Sequence, residues 1–376
     1  MPQAEMSDLK EISMGVAGVG AIGRNHARVL ANLPGVKLAG IYDVDAARAA
    51  ELAAEHGTRA AASLAELASW TDAITVATPT VYHYETGRLL LEAGKHVLIE
   101  KPITDNTEQA LELAALAKAK SLVLQVGHIE RFNPVMSLLE ERLTSPRFIE
   151  AHRLSPFPNR SIDIGVVLDL MIHDIEIVLN LVRSPIESID AVGVAVLTRR
   201  EDIANARLRF KNGCVANLTA SRISPERLRK LRVFQSDAYL SLDYQAQEGK
   251  IYRREGMAIV CEDVTVEKDE PLKLELAAFA ECARHGLRPR VGGREAAAAL
   301  DLAALLTRAG WVEPDTIRDV YDAAAAGWFG YDHPTVDLTR GTGAASPALW
   351  PKFWEFIDDT TKMDAGAFTR SEEHTS

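Results

Sequence analysis

Cysteine is scarce in this chain of 376 residues: Cys214, Cys261 and Cys282 stand far apart and form no CxxC pair. That spacing argues against a disulfide framework or a zinc site and predicts reduced thiols in a cytoplasmic protein. Long apolar runs are missing as well. No stretch reaches the roughly 18 residues that a membrane-spanning helix needs. The N-terminus carries Glu5, Asp8 and Glu11 in place of the apolar core of a signal peptide. There is no basic excess: the formal net charge is −11, which argues against nucleic-acid binding. Aromatic residues make up only 6%, and four of the five tryptophans (Trp311, Trp328, Trp350, Trp354) fall in the last part of the chain. What remains, 47% hydrophobic and 25% charged residues, is the balance of a soluble globular protein with room for two domains.

The first third alternates short apolar runs with amphipathic stretches. Strands are predicted at 12–17, 36–42, 73–77, 96–99 and 122–126, with helices at 21–32, 45–56, 84–93 and 106–120. Such alternation predicts a doubly wound parallel sheet with helices on both faces. The pattern changes near Gly127. Helices are predicted at 131–143 and 167–181, then strands at 191–197, 204–210, 215–221, 230–235, 239–243 and 250–253, with Lys211-Asn212-Gly213 as a hairpin turn. Helices at 272–285 and 294–308 follow. The fold class is therefore α/β, with a second, α+β part built on an open-faced, mainly antiparallel sheet. Three regions result: 1–127, 128–308, and an acidic, tryptophan-rich extension at 309–376. The last holds five Lys+Arg against twelve Asp+Glu and closes on Arg370-Ser371-Glu372-Glu373-His374-Thr375-Ser376, which looks like a translated sequencing-library adapter.

Between the first strand and helix runs Gly18-Val19-Gly20-Ala21-Ile22-Gly23. A GxGxxG alone is weak evidence. Here it follows a strand, opens a helix, and has an acid, Asp43, at the end of the next strand. Gly18 allows the tight turn, Gly20 the approach of a pyrophosphate, and Gly23 close helix–strand packing. The helix start at Ala21 and Ile22 offers N–H groups and a partial positive charge to phosphates. Asp43 would accept from ribose hydroxyls and repel a 2′-phosphate, which favours NAD. Arg48 nearby keeps NADP open.

Three segments carry the chemistry that a nicotinamide enzyme needs, a base for a hydroxyl proton and groups that hold the substrate. Ala77-Thr78-Pro79-Thr80 and Glu100-Lys101-Pro102 end consecutive strands at the edge where the cofactor crevice of a doubly wound sheet opens. Lys101 is predicted to point into that cleft, with an ordinary solvated lysine as the alternative. In Asp169-Leu170-Met171-Ile172-His173 the acid and the imidazole are four apart, so on a helix they share one face and can handle a proton together. The alternative is a structural histidine satisfied by a nearby acid.

Together the glycine loop, Ala77-Thr78-Pro79-Thr80 with His83, Glu100-Lys101-Pro102 and Asp169-x-x-x-His173 resemble the glucose–fructose oxidoreductase / inositol dehydrogenase (Gfo/Idh/MocA) family over about residues 12–308. The resemblance implies a Rossmann domain that binds NAD(P) at 1–127. Thr78, Pro79, His83, Glu100 and Lys101 would join the glycine loop in holding the cofactor. It implies Lys101, Asp169 and His173 as catalytic and substrate-binding residues. It also implies a second domain at 128–308 that binds substrate and whose open sheet supports a homodimer or homotetramer. Where the family approaches the DxxxH segment through a glycine-rich stretch, Asp163-Ile164-Gly165-Val166-Val167-Leu168 has one glycine.

The segment Gly127-His128-Ile129-Glu130-Arg131-Phe132-Asn133-Pro134 resembles a subgroup acting on UDP-N-acetylglucosamine-type nucleotide sugars, which oxidises the sugar 3-hydroxyl. Arg131, Arg153 and Arg160 are then candidates for a bidentate grip on the substrate diphosphate, with surface or core-rim roles as the alternative. Inositol, a free sugar or another small cyclic substrate, or a sensor that binds NAD without chemistry, are the competing readings.

Overall fold

A computed structural model describes residues 11–157 and 164–309. The predicted extension at 309–376 and the segment that holds Arg160 lie almost wholly outside the described residues. The chain forms two compact units that interleave along the sequence. One is built from the chain up to Leu143 with Leu242–Ile251 and Cys261–Leu302, and the other from Thr144–Ser241, Tyr252–Val260 and the chain from Ala303.

The first unit holds a five-stranded parallel sheet in the order β2-β1-β3-β4-β5, from β1 (Ile12–Ala17), β2 (Val36–Tyr42), β3 (Ala73–Val76), β4 (His96–Glu100) and β5 (Leu124–Gly127). Its strands are near-continuous apolar runs because both faces are covered. The helices are α1 (Ala21–Leu30), α2 (Ala46–Glu55), α3 (Leu64–Ser69), α4 (His83–Glu92) and α5 (Thr107–Ala119). Asp45 caps α2 by accepting from the Arg48 N–H, and Asn106 caps α5 by accepting from the Gln109 N–H. The six-residue α3 was not anticipated, being too short for its periodicity to register.

The predicted helix at 131–143 is broken. Ile129–Phe132 forms a 3₁₀ turn, and α6 runs from Pro134 to Arg142. Proline at the first helical position drives Asn133 out of the helical region (ψ 129°), where its side chain caps the Val135 N–H.

The second sheet has eight strands in the order β13-β12-β11-β10-β6-β9-β8-β7. They are β6 (Phe148–Leu154), β7 (Ile186–Val194), β8 (Ile203–Phe210), β9 (Val215–Ser221), β10 (Leu228–Phe234), β11 (Ala238–Asp243), β12 (Glu248–Glu255) and β13 (Ala258–Thr265). β6 pairs parallel with β9 and antiparallel with β10. Burial alternates along β6, β8 and β9, so one face is packed and the other open. Lys211-Asn212-Gly213 makes the expected turn, with Gly213 at φ +83°. Against the packed face runs α7 (Ile172–Val182), and α8 (Pro271–His285) and α9 (Gly293–Ala309) close the described chain. The expected single helix at 167–181 is two: Val167–Met171 winds as a π-helix before α7 begins.

Candidate active site

The strand order reverses between β1 and β3, so the crevice of the first unit opens at their carboxyl ends. Gly18 sits there at φ +87°, and a Cβ on it would lie 2.8 Å from the Ala77 backbone. A Cβ on Gly23 would lie 1.9 Å from the Gly18 carbonyl oxygen, so helix and loop touch only because it is glycine. Nothing lies within 4 Å of the Cβ position of Gly20, the N-cap of α1. No side chain caps that helix, and its first turn holds no acid. Ala21 and Ile22 are exposed there. This is an open cradle with a positive helix end, which suits a diphosphate.

Asp43 ends β2 almost buried. Its Oδ2 accepts the Val19 N–H at 2.7 Å and its Oδ1 the Asp45 N–H at 2.9 Å. The carboxylate thus ties the glycine loop to the end of β2. Arg48 lies 3.9 Å from Asp43 and 3.1 Å from Asp45, so its charge is engaged by two acids. An acid at this strand end and a glycine cradle fit NAD. The Thr78 hydroxyl, buried at the same edge, has no hydrogen-bond partner among the described residues.

Pro79 opens a 3₁₀ turn over Thr80–Tyr82 that leads into α4. His83, the first residue of α4, is buried with Nδ1 2.8 Å from the Pro102 carbonyl oxygen and Nε2 2.8 Å from that of Thr78. The ring therefore bridges the two loops that sequence reasoning had picked out separately. Burial pushes its pKa down, against the pull of the two carbonyls.

Glu100 and Lys101 leave β4 at the same edge, and the Lys101–Pro102 peptide bond is cis. Glu100 is buried. Its Oε1 lies 3.0 Å from Nε2 of His26, a wholly buried residue of α1, and its Oε2 accepts the Lys101 N–H at 3.3 Å. A Cβ on Gly127 would come within 2.9 Å of the Glu100 carboxyl, so that glycine makes room for it. His128 is enclosed beside Lys101 and Arg131, and burial, with their positive charges adding, pushes its pKa down to about 3. It is a neutral ring. Arg131 is itself buried; its Nη2 lies 3.7 Å from Glu140, and its carbonyl accepts from Arg290 at 2.7 Å. His26 carries no sequence signal of its own, and the subgroup segment that begins at Gly127-His128 does not show that these two meet Glu100 and Lys101, because nothing local marks which distant group a side chain will meet.

The second unit carries Asp169 in the π turn and His173 in the first turn of α7, both half-buried. Arg153, expected as a diphosphate ligand, points inward from β6. Its Nε and Nη2 donate to Oδ2 and Oδ1 of Asp174 at 2.8 and 2.9 Å, so this fork is spent on an acid beside His173.

A glycine cradle, an acid at the second strand end, and lysine, acid and histidine candidates define a dinucleotide-dependent oxidoreductase. Comparison with known proteins sharpens the class. Residues 12–128 match the oxidoreductase family with NAD-binding Rossmann fold, and 139–241 its C-terminal domain. The chain belongs to the Gfo/Idh/MocA family and is an NAD(P)-dependent dehydrogenase. It is 44% identical over 241 residues, 64% of this chain and 76% of the relative, to a UDP-N-acetylglucosamine 3-dehydrogenase of Acidithiobacillus ferrooxidans. It is 31% identical over 214 residues, 54% of this chain and 62% of the relative, to an inositol 2-dehydrogenase of Leifsonia xyli. The solved structure of the UDP-N-acetylglucosamine 3-dehydrogenase GnnA from Acidithiobacillus ferrooxidans superposes with a TM-score of 0.76 at 38% identity, over 79% of this chain and 97% of that one.

Proposed function

We propose that this enzyme oxidises the 3-hydroxyl of a UDP-N-acetylglucosamine-type nucleotide sugar to the ketone, with NAD⁺ as acceptor. The 44% identity to a UDP-N-acetylglucosamine 3-dehydrogenase carries this reading, against 31% to an inositol 2-dehydrogenase. In it, the region at 1–127 binds the cofactor, which supplies the nicotinamide C4 that takes up the hydride. The region at 128–308 binds the sugar and joins copies into a homodimer or homotetramer. His173 takes the hydroxyl proton as the C–H electron pair leaves and the C=O forms. The Lys101 ammonium holds the hydroxyl oxygen, and Asp169 orients the substrate or His173. Arg131 and Arg160 are the arginines that remain candidates for the diphosphate.

Lys101→Ala and His173→Ala should each lower turnover by about 10²-fold or more, with NAD affinity near wild type by fluorescence titration. Wild-type turnover in both would sink the assignment. Thermal stabilisation beyond that given by NAD alone on adding UDP-N-acetylglucosamine, and no such increment on adding inositol, is the expected substrate signature; the reverse would reassign the substrate.

A further inference from the structure

The segment that carries Asp169 and His173 changes its winding between them. Val167–Met171 is π-helical, Ile172–Val182 α-helical, and neither start has a side-chain cap. A π turn is wider than an α turn and persists only where its surroundings hold it. The angular relation of residues 169 and 173 is therefore set by whatever pins the two halves.

Each half has a buried ionic pin. Before the junction, the Glu201 backbone oxygen accepts the Val166 N–H at 2.9 Å and its Oε1 the Val167 N–H at 3.4 Å. The carboxylate lies where a side chain at 165 would be: a Cβ on Gly165 would come within 1.8 Å of it. The next residue, Asp202, pairs with Arg222 at 2.8 Å, both side chains fully enclosed, and Arg222 donates to the Ile164 carbonyl at 2.7 Å. After the junction, the bidentate Arg153–Asp174 pair ties the first turn of α7 to β6, an interior strand of the eight. Both partners are 3% exposed.

We propose that Arg153 and Glu201 are positioning residues for the dehydrogenation. Arg153, acting through Asp174, sets the bearing of His173, and Glu201 sets that of Asp169. The inference rests on the reading of Asp169 and His173 as the proton-handling pair. Successive helical residues point about 100° apart, so a fork that fixes Asp174 in one geometry fixes the rotation of α7 and with it the His173 ring. A misplacement of about 1 Å in such a group costs up to 10²-fold in rate. The single glycine before the DxxxH segment also gains a reason, since it is the position that Glu201 needs empty.

The test is a double-mutant cycle on the full-length enzyme with NAD and UDP-N-acetylglucosamine. Arg153→Lys keeps the charge and loses the planar fork. Turnover, KM, NAD affinity and thermal midpoint are measured for Arg153→Lys, His173→Ala and the pair. Arg153→Lys should lower kcat about tenfold with NAD affinity unchanged, and should have no further effect once His173 is alanine. Equal losses in both backgrounds would make Arg153 general support and overturn the proposal, as would wild-type turnover. Wild-type turnover of His173→Ala alone would remove the catalytic reading itself, and the inference with it. Glu201→Asp, whose shorter arm withdraws from the Val167 N–H, should behave likewise against Asp169→Asn. Asp174→Glu repeats the first cycle with the fork lengthened on the acid side, so that misfolding of one variant cannot decide the matter.

Discussion

Glu275 lies on α8 with its side chain wholly enclosed, and neither carboxyl oxygen meets a hydrogen-bond partner among the described residues. Burial raises its pKa well above the ordinary 4.5, and the charge of Glu100 adds to this. The folded state therefore keeps its proton, while the unfolded chain loses it above about pH 4.5. The resulting stability is present in acid and lost as pH rises from 4.5 towards the folded value. Glu275→Gln, a neutral isostere, should melt above wild type at about pH 8 and level with it at about pH 4; a constant gap in calorimetry across that range would refute the assignment. Gly23→Ala makes a simpler case. Its Cβ would lie 1.9 Å from the Gly18 carbonyl, so loop and helix must part, and NAD affinity should fall by about tenfold or more by isothermal titration. At this scale the sequence displayed the glycines, Asp43, Lys101 and His173, because their signals are local. It concealed His26 and Glu275, whose meaning lies in their burial near Glu100, brought from far along the chain.

Among the elements, β6 is the instructive omission. Its sequence, Phe-Ile-Glu-Ala-His-Arg-Leu, alternates as a strand should, with Ile149, Ala151 and Arg153 inward. An arginine among the inward positions disguises the alternation, and only Asp174 explains why it can be there. The helix at 167–181 was legible as an apolar periodic run, but not its π turn, whose start is held by Glu201 and Arg222 from far along the chain. Gly165→Ala follows directly. The added methyl must displace the Glu201 carboxylate, so turnover should fall about tenfold while NAD affinity, a property of the other unit, stays unchanged. Stopped-flow hydride transfer with a nucleotide sugar would read the first, and NAD titration the second. The ion pair beneath this turn also has a definite acid response. Burial alone would raise the Asp202 carboxyl, but hydrogen bonds from the Thr198, Leu197 and Val196 N–H groups and Arg222 reverse that and hold it well below the usual carboxylate range. Its stabilisation is full at neutral pH and fades only in strong acid.

For the molecule as a whole, the eight-stranded sheet leaves one face open and ends at β7, where Val192 and Val194 are about half exposed, as are Val196 and Leu197 just beyond. An apolar edge of this kind invites pairing with another chain. If this edge takes part in the proposed self-association, Val192→Glu with Val194→Glu should shift the enzyme to a smaller species in analytical ultracentrifugation; an unchanged sedimentation coefficient would place the interface elsewhere. The interleaving of the two units has a different outcome, one that concerns time. Leu272, Leu276 and Phe279 of α8 share a core with Ile12, Met14 and Leu30, and Arg284 donates to the Gly35 carbonyl across 249 positions. A ribosome delivers the two sides of that core far apart, and contacts of such long sequence separation form slowly. The nucleotide-binding half, first to emerge, cannot seal its interior until almost the last described helix has been made. During that interval the apolar backs of α1 and β1 lack the cover that Leu272, Leu276 and Phe279 later supply.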